Sequence, residues 1–220
     1  MRAMVLNRIS IVNENNLALE LVDIPLPIPK RGEVRIKVSV CGVCHTELDE
    51  IEGRLAPLKL PIVLGHQVVG HIEKLGVGAT KFNVVDRVGV AWIFSACGKC
   101  KFCREGNENL YDDYKATGKD MNGGYAEFMT IPQKYAYSIP AFFTDTEAAP
   151  LLCAGAIGYR AIQHAKIGNG NRLGLTGFGA SAHLVLKMVK YSYPNTKVFV
   201  FARNVEERLF AKELGAFWTG

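Results

Sequence analysis

From Glu33 to Val38 the chain alternates polar and apolar side chains, Glu-Val-Arg-Ile-Lys-Val. That period of two predicts a strand with one buried face. Residues 68–75 and 87–91 carry the composition of two further strands. Pro25, Pro27, Pro29 and Gly32 punctuate the chain before the first of them. Short strands parted by Gly and Pro predict a small barrel or rolled sheet over residues 1 to about 150. The pattern changes near residue 145. Thr144 and Asp145, with Glu147 close behind, read as a helix start, and a segment rich in Ala, Leu, Ile and Tyr runs on to Gln163. Then follow a strand over 172–176, a glycine turn, a helix over 181–190, a strand over 197–201 and a helix over 205–214. This β-α-β-α order with short connections predicts the start of a doubly wound parallel sheet, with two strands present and a third due where the chain reaches Gly220. There is no internal repeat.

Composition narrows the classes. The 220 residues are 49% hydrophobic and 21% charged, which excludes a disordered or collagen-like chain. The net charge of +5 comes from interspersed residues and forms no basic stripe, so no nucleic-acid partner is expected. No apolar run approaches the ~20 residues of a membrane span, and the N-terminus lacks a signal peptide's apolar centre, so no membrane association and a cytoplasmic location are expected. A cytoplasmic chain keeps its thiols reduced. Five of the six cysteines fall into two tight groups, 41/44 and 97/100/103, with Cys153 apart. Such clustering points to metal binding or catalysis.

Three constellations carry candidate chemistry. Cys44, His66 and Cys153 offer two thiolates and one imidazole, a set that can hold a catalytic zinc with its fourth position open to polarise an alcohol or carbonyl oxygen. On spacing alone, two buried small side chains and a satisfied core histidine compete with that reading. Cys97, Cys100 and Cys103 place three thiols where one ion could gather them at little chain-entropy cost. Gly177-Phe178-Gly179-Ala180-Ser181-Ala182 is a G-x-G-x-x-A turn between a strand and a helix, where backbone and helix N-terminus can meet a pyrophosphate. At the end of the second strand NAD binding would ask for a carboxylate. Here stand Ala202 and then Arg203, which predicts NADP(H) over NAD(H). A plain βα turn and a solvated arginine are the competing readings.

Cys41-Gly42-Val43-Cys44-His45-Thr46, Gly65-His66-Gln67-Val68-Val69-Gly70, Asp86-Arg87-Val88, Leu151-Leu152-Cys153-Ala154-Gly155, the second cysteine group and the glycine turn are all present. In this the chain resembles the zinc-dependent alcohol dehydrogenases of the medium-chain dehydrogenase/reductase superfamily. The resemblance implies a β-rich GroES-like domain over 1–153, followed by an incomplete Rossmann domain over 154–220. It implies that Cys44, His66 and Cys153 hold a catalytic zinc ion and that Cys41 does not. Thr46 would bond the substrate oxygen, Asp49 would end the proton relay, His45 would lie near the cofactor pyrophosphate and Trp92 would line the substrate pocket, an ordinary core tryptophan being the alternative.

Three residues depart from the family pattern: Gln67 for Glu, Glu47 for Asp and Asp49 for His. The family's structural zinc takes four cysteines, and the fourth place here is Tyr111, followed by Asp112 and Asp113. Zinc with three cysteines plus Asp or water, free thiols without metal, and another metal or oxidised thiols all stay open for that lobe. The implied reaction moves hydride between a small alcohol or aldehyde and the nicotinamide cofactor, in a homo-oligomer or beside a complementary C-terminal fragment. The alternative is a truncated, inactive zinc-binding fragment or half of a split enzyme. Little turnover is expected of the 220 residues alone.

Overall fold

A computed structural model of the chain describes residues 1–13 and 16–220. It divides into two compact units, Met1–Leu152 and Cys153–Gly220.

The first unit is built on an antiparallel five-stranded sheet in the order Ala136–Ser138, Arg87–Val90, Val68–Leu75, Glu33–Cys41, Phe128–Pro132. Val34, Ile36, Val68, Ile72, Val88, Val90, Met129 and Ile131 fill the core against one face of this sheet. The predicted alternation over 33–38 holds for Val34 and Ile36, yet Arg35 between them is also buried. Its guanidinium donates to Glu73 Oε2 at 2.6 Å and to the Pro27 carbonyl at 2.9 Å, so the charge is paired where it loses water. The Val68–Leu75 strand is covered on both faces at its start. Val68 enters the main core, while Val69 packs with Ala148, Ala149 and Leu152 on the other side. A second sheet pairs Leu19–Asp23, Arg2–Leu6 and Ile62–Val63, and a ribbon pairs Ile93–Ser95 with Lys115–Ala116.

The single helical segment expected between 145 and 163 is broken in three. Asp145–Ala148 is a helical turn capped by Thr144 with Glu147 in return. Ala149–Leu152 is a 3-10 turn, and the next helix is Ala154–Ala165. Pro150 has no N–H to continue the first helix, and Cys153 (φ −126°, ψ −76°) leaves helical geometry altogether.

The second unit has a parallel sheet, Arg172–Thr176, Lys197–Phe201, Trp218–Thr219, with the helices Ala154–Ala165, Ala180–Ser192 and Val205–Glu213. Val185, Leu186, Val189, Val198, Val200 and Ala211 form its core. The expectation of only two strands is corrected here: Trp218 and Thr219 already pair with Phe199 and Val200. Both flanking strands lie beside the central one, as in the first half of a doubly wound sheet.

Candidate functional site

Cys44 is the N-cap of a short helix, His45–Ile51. The helix begins there because Glu47, three residues on, returns its carboxylate to the Cys44 N–H at 2.8 Å. This places Glu47 and Glu50 on the inner face and His45 and Asp49 on the outer one. His66 arrives on the segment between Ile62–Val63 and Val68–Leu75, just after Gly65. Gly65 has φ +98°, and a Cβ there would come within 2.8 Å of the Cys41 thiol and 2.7 Å of the Tyr125 ring. The chain can approach this closely only with glycine at that position.

The 1% exposed His66 turns Nδ1 to Glu47 Oε1 at 2.6 Å. The Cys44 side chain hydrogen-bonds the same imidazole, and the ligand atoms of Cys44 and His66 lie within 4.8 Å of each other. Burial opposes the charged imidazole, but the Cys44 thiol and the Glu47 carboxylate outweigh it and hold the His66 pKa up to about 9. Thr46 Oγ1 lies 3.5 Å from Cys44 Sγ. Trp92 packs edge-on against His66 at 5.1 Å between ring centres and donates its indole N–H to Tyr114 at 3.3 Å. Asp49 Oδ1 accepts from Arg54 Nε at 2.5 Å and lies 3.8 Å from His45 Nε2. Arg54 also pairs with Glu52. Cys153 opens the second unit as N-cap of Ala154–Ala165. The chain reaches it through Leu152, which packs on Val69, three residues from His66.

The donor set fits a catalytic zinc on the chemistry of Cys44 and His66. A carboxylate on Nδ1 fixes the tautomer and leaves Nε2 for a metal, the arrangement metal-ligating histidines show. Sequence reasoning missed two neighbours. Glu50 is fully buried, and among the described residues neither of its oxygens has a hydrogen-bond partner. Burial first, then the charge of Glu47, raises its pKa from an ordinary 4.5 to about 8, although His66 and Lys119 pull the other way. Tyr125, whose buried hydroxyl likewise has no hydrogen-bond partner among the described residues, has its pKa raised by burial and by the surrounding Glu47, Cys41 and Glu50.

The Sγ atoms of Cys97, Cys100 and Cys103 also lie within 4.8 Å of one another. Cys97 is exposed, and the backbone N–H groups of Lys99 and Cys100, each 3.4 Å from its sulfur, lower its pKa to about 7. Neither Asp112 nor Asp113 joins the three thiols within that distance. Tyr111 donates to Asp113 at 3.4 Å instead. These residues do not fit a closed four-ligand zinc site.

In the second unit Gly177 has φ +79° and donates its N–H to the Phe201 carbonyl at 2.7 Å. Gly179 caps the helix Ala180–Ser192, and the space where side chains of Gly177 and Gly179 would project is open. Ser181 lies in the helix's first turn. Phe178, expected among the cofactor contacts, sends its side chain into the core against Phe210. Only its backbone remains for a ligand. Ala202 is buried and Arg203 exposed. Arg208 donates to the carbonyls of Ala202 and Arg203 at 2.6 and 2.8 Å, a second cation at this strand end that the sequence pattern does not single out.

Residues 30–141 match the family model of the alcohol dehydrogenase GroES-like domain. The chain belongs to the zinc-dependent alcohol dehydrogenase family. It is 42% identical over 203 residues to a probable alcohol dehydrogenase of Mycobacterium tuberculosis, covering 90% of this chain and 58% of that protein. An alcohol dehydrogenase of Escherichia coli CFT073, solved with NADH, superposes with a TM-score of 0.88 at 28% identity, over all of this chain and 62% of the other. The protein CAD of Helicobacter pylori, solved with NADP(H), gives 0.86 at 25% identity, over all of this chain and 65% of the other. The chain thus spans about three-fifths of the length of these relatives. Among the described residues, no helix is long and apolar enough to cross a membrane.

Proposed function

We propose that this protein is a zinc-dependent alcohol dehydrogenase, passing hydride between a small alcohol and NADP(H) to interconvert alcohol with aldehyde or ketone. The observation that carries the reading is the buried Glu47–His66 pair with the partly exposed Cys44 thiol beside it, an oriented imidazole and a thiol facing one point. Cys153 is proposed as the third ligand. A zinc ion held there supplies Lewis acidity to the substrate oxygen. Glu47 keeps the imidazole in one tautomer and shields it from water. Thr46, beside Cys44, supplies the hydroxyl that accepts the substrate proton's hydrogen bond. Asp49 stands one helical turn from His45 and is paired with Arg54, so a proton moving outward along this face meets a fixed carboxylate. Trp92 walls the site on the His66 side. The open backbone at Gly177 and Gly179, with the N-terminus of a thirteen-residue helix behind it, suits the cofactor pyrophosphate.

Cofactor choice rests on the end of the Lys197–Phe201 strand. Ala202 offers no carboxylate to a ribose, and Arg203 and Arg208 bring two guanidinium groups to a place where a 2′-phosphate would sit. Arg203→Ala is expected to weaken NADPH binding by about 1–3 kcal/mol, the worth of a charge-assisted contact, and to leave NADH binding nearly unchanged. Fluorescence titration with both cofactors checks this, and equal binding of the two by the parent protein contradicts it.

The activity is tested with zinc-loaded protein, a panel of primary and secondary alcohols and both cofactors, with and without a polypeptide supplying the C-terminal region of the longer relatives. Zinc-dependent reduction of NADP+ in either arm supports the proposal. Absence of turnover in both arms, with zinc and cofactor shown to be bound, contradicts it.

A further inference from the structure

The lobe carrying Cys97, Cys100 and Cys103 is a donor set of three. Cys97 and Cys103 have their sulfurs 3.7 Å apart, and no further His, Cys, Asp or Glu among the described residues completes the cluster. The phenol of Tyr111 is tied to Asp113. The thiols are held in place by the peptide: Lys99 and Cys100 donate to Cys97 Sγ, and the Cys103 N–H lies 3.5 Å from Cys100 Sγ. Cys100 caps the short helix Lys101–Arg104, so the geometry is set by a local turn. The surroundings carry charges of both signs, with Glu105, Glu108, Asp112 and Asp113 following the cysteines in the chain. Lys99, Lys101 and Arg104 lie within the lobe, and Lys134 Nζ comes within 3.3 Å of the place a side chain on Gly98 would occupy.

Zinc in a structural site takes four ligands. Soft thiolates also select copper(I), a closed-shell monovalent ion that is content with three in a plane. Three thiolates around it carry a net charge of −2, one unit more negative than around zinc, and Lys99, Lys101 and Lys134 are the cations set beside Cys97 and Cys100 to meet it. We propose that Cys97, Cys100 and Cys103 form a three-thiolate site for a soft monovalent metal ion of the copper(I) class. Binding breaks three S–H bonds, or fewer where thiolate already stands, releases those protons to solvent and forms three metal–sulfur bonds. No electron is transferred.

The test uses the full chain, reduced and free of oxygen, titrated with copper(I) against a chromogenic copper(I) chelator. The parent is expected to hold one equivalent more than Cys100→Ser, with three sulfurs around that copper by X-ray absorption. Zinc at equal concentration should not displace it. Circular dichroism and zinc retention at the Cys44–His66 centre report whether Cys100→Ser stays folded. Tyr111→Cys gives an independent reading, because it restores a fourth thiol without removing any of the three. Its preference for copper(I) over zinc should fall at least tenfold. Equal copper uptake by the parent and a folded Cys100→Ser overturns the proposal. So does an unchanged metal preference in Tyr111→Cys, or retention of zinc in the parent lobe through an oxygen ligand against equimolar copper(I).

Discussion

A chain carrying Cys44→Ala or His66→Ala should lose one full equivalent of bound zinc, while Glu47→Gln should keep that equivalent and bind it about 10- to 100-fold more weakly. The first two changes remove donor atoms, and two remaining ligands cannot hold zinc against a mild chelator. The third leaves both donors in place. It removes the charge that sits 2.6 Å from His66 Nδ1, and a carboxylate on the remote nitrogen of a metal-bound imidazole contributes that range of affinity. Glu47 also closes the helix start through the Cys44 N–H. Gln retains that acceptor, so the loss is read on metal affinity and not on the helix. Elemental analysis gives the stoichiometry, and competition with a fluorescent zinc chelator gives the affinity. Unchanged affinity in Glu47→Gln would separate the carboxylate from the metal.

Glu50→Gln should stabilise the zinc-free chain at pH 8, by about 1–3 kcal/mol, and by almost nothing at pH 4. The carboxylate of Glu50 is fully buried on the helix face it shares with Glu47. Its pKa rises from 4.5 in an ordinary setting to about 8 in the folded chain. Below about 4.5 the acid is neutral in both states and costs nothing. Between 4.5 and 8 the unfolded chain gives up the proton and the folded chain keeps it, so the native state loses stability as pH rises. Above 8 the cost is complete. Each tenfold difference in proton affinity between the two states is worth about 1.4 kcal/mol, and relaxation of the site reduces the sum. Glutamine keeps the shape and cannot ionise. Urea midpoints of parent and variant across this pH range measure the difference. A variant that is destabilised equally at every pH would mean that Glu50 acts through packing or a hydrogen bond.

The parts of this molecule that are legible in its sequence are those set by local spacing. The three thiols of 97–103 sit close together in the chain and meet in space. The turn at Gly177 reads from its glycines, and the strands Arg172–Thr176 and Lys197–Phe201 are bounded as their apolar runs predict. Glu50 is illegible for a physical reason. Glu47 and Glu50 share a face only because a helix runs from His45 to Ile51, and seven residues, mostly polar, are too few to show a helical period in the sequence. Arg54 meets Asp49 only after the chain turns at Gly53, whose φ is +80°. Strands of two residues, such as Ile62–Val63 and Lys115–Ala116, have no periodicity to detect and exist because distant partners pair with them. The proline at 150 signals the break before Cys153, yet the apolar run around it reads as continuous helix.

The ligand shell of the zinc ion is read by X-ray absorption at the zinc edge on the chain loaded with one equivalent, in a background where Cys97, Cys100 and Cys103 are serine. A zinc ion held by Cys44, His66 and Cys153 gives two sulfur neighbours at ~2.3 Å and one imidazole nitrogen at ~2.0–2.1 Å, with a light atom in the fourth place, and loses one sulfur in Cys153→Ser. A shell made of oxygen and nitrogen alone, or two sulfurs that persist in Cys153→Ser, would contradict this ligand set.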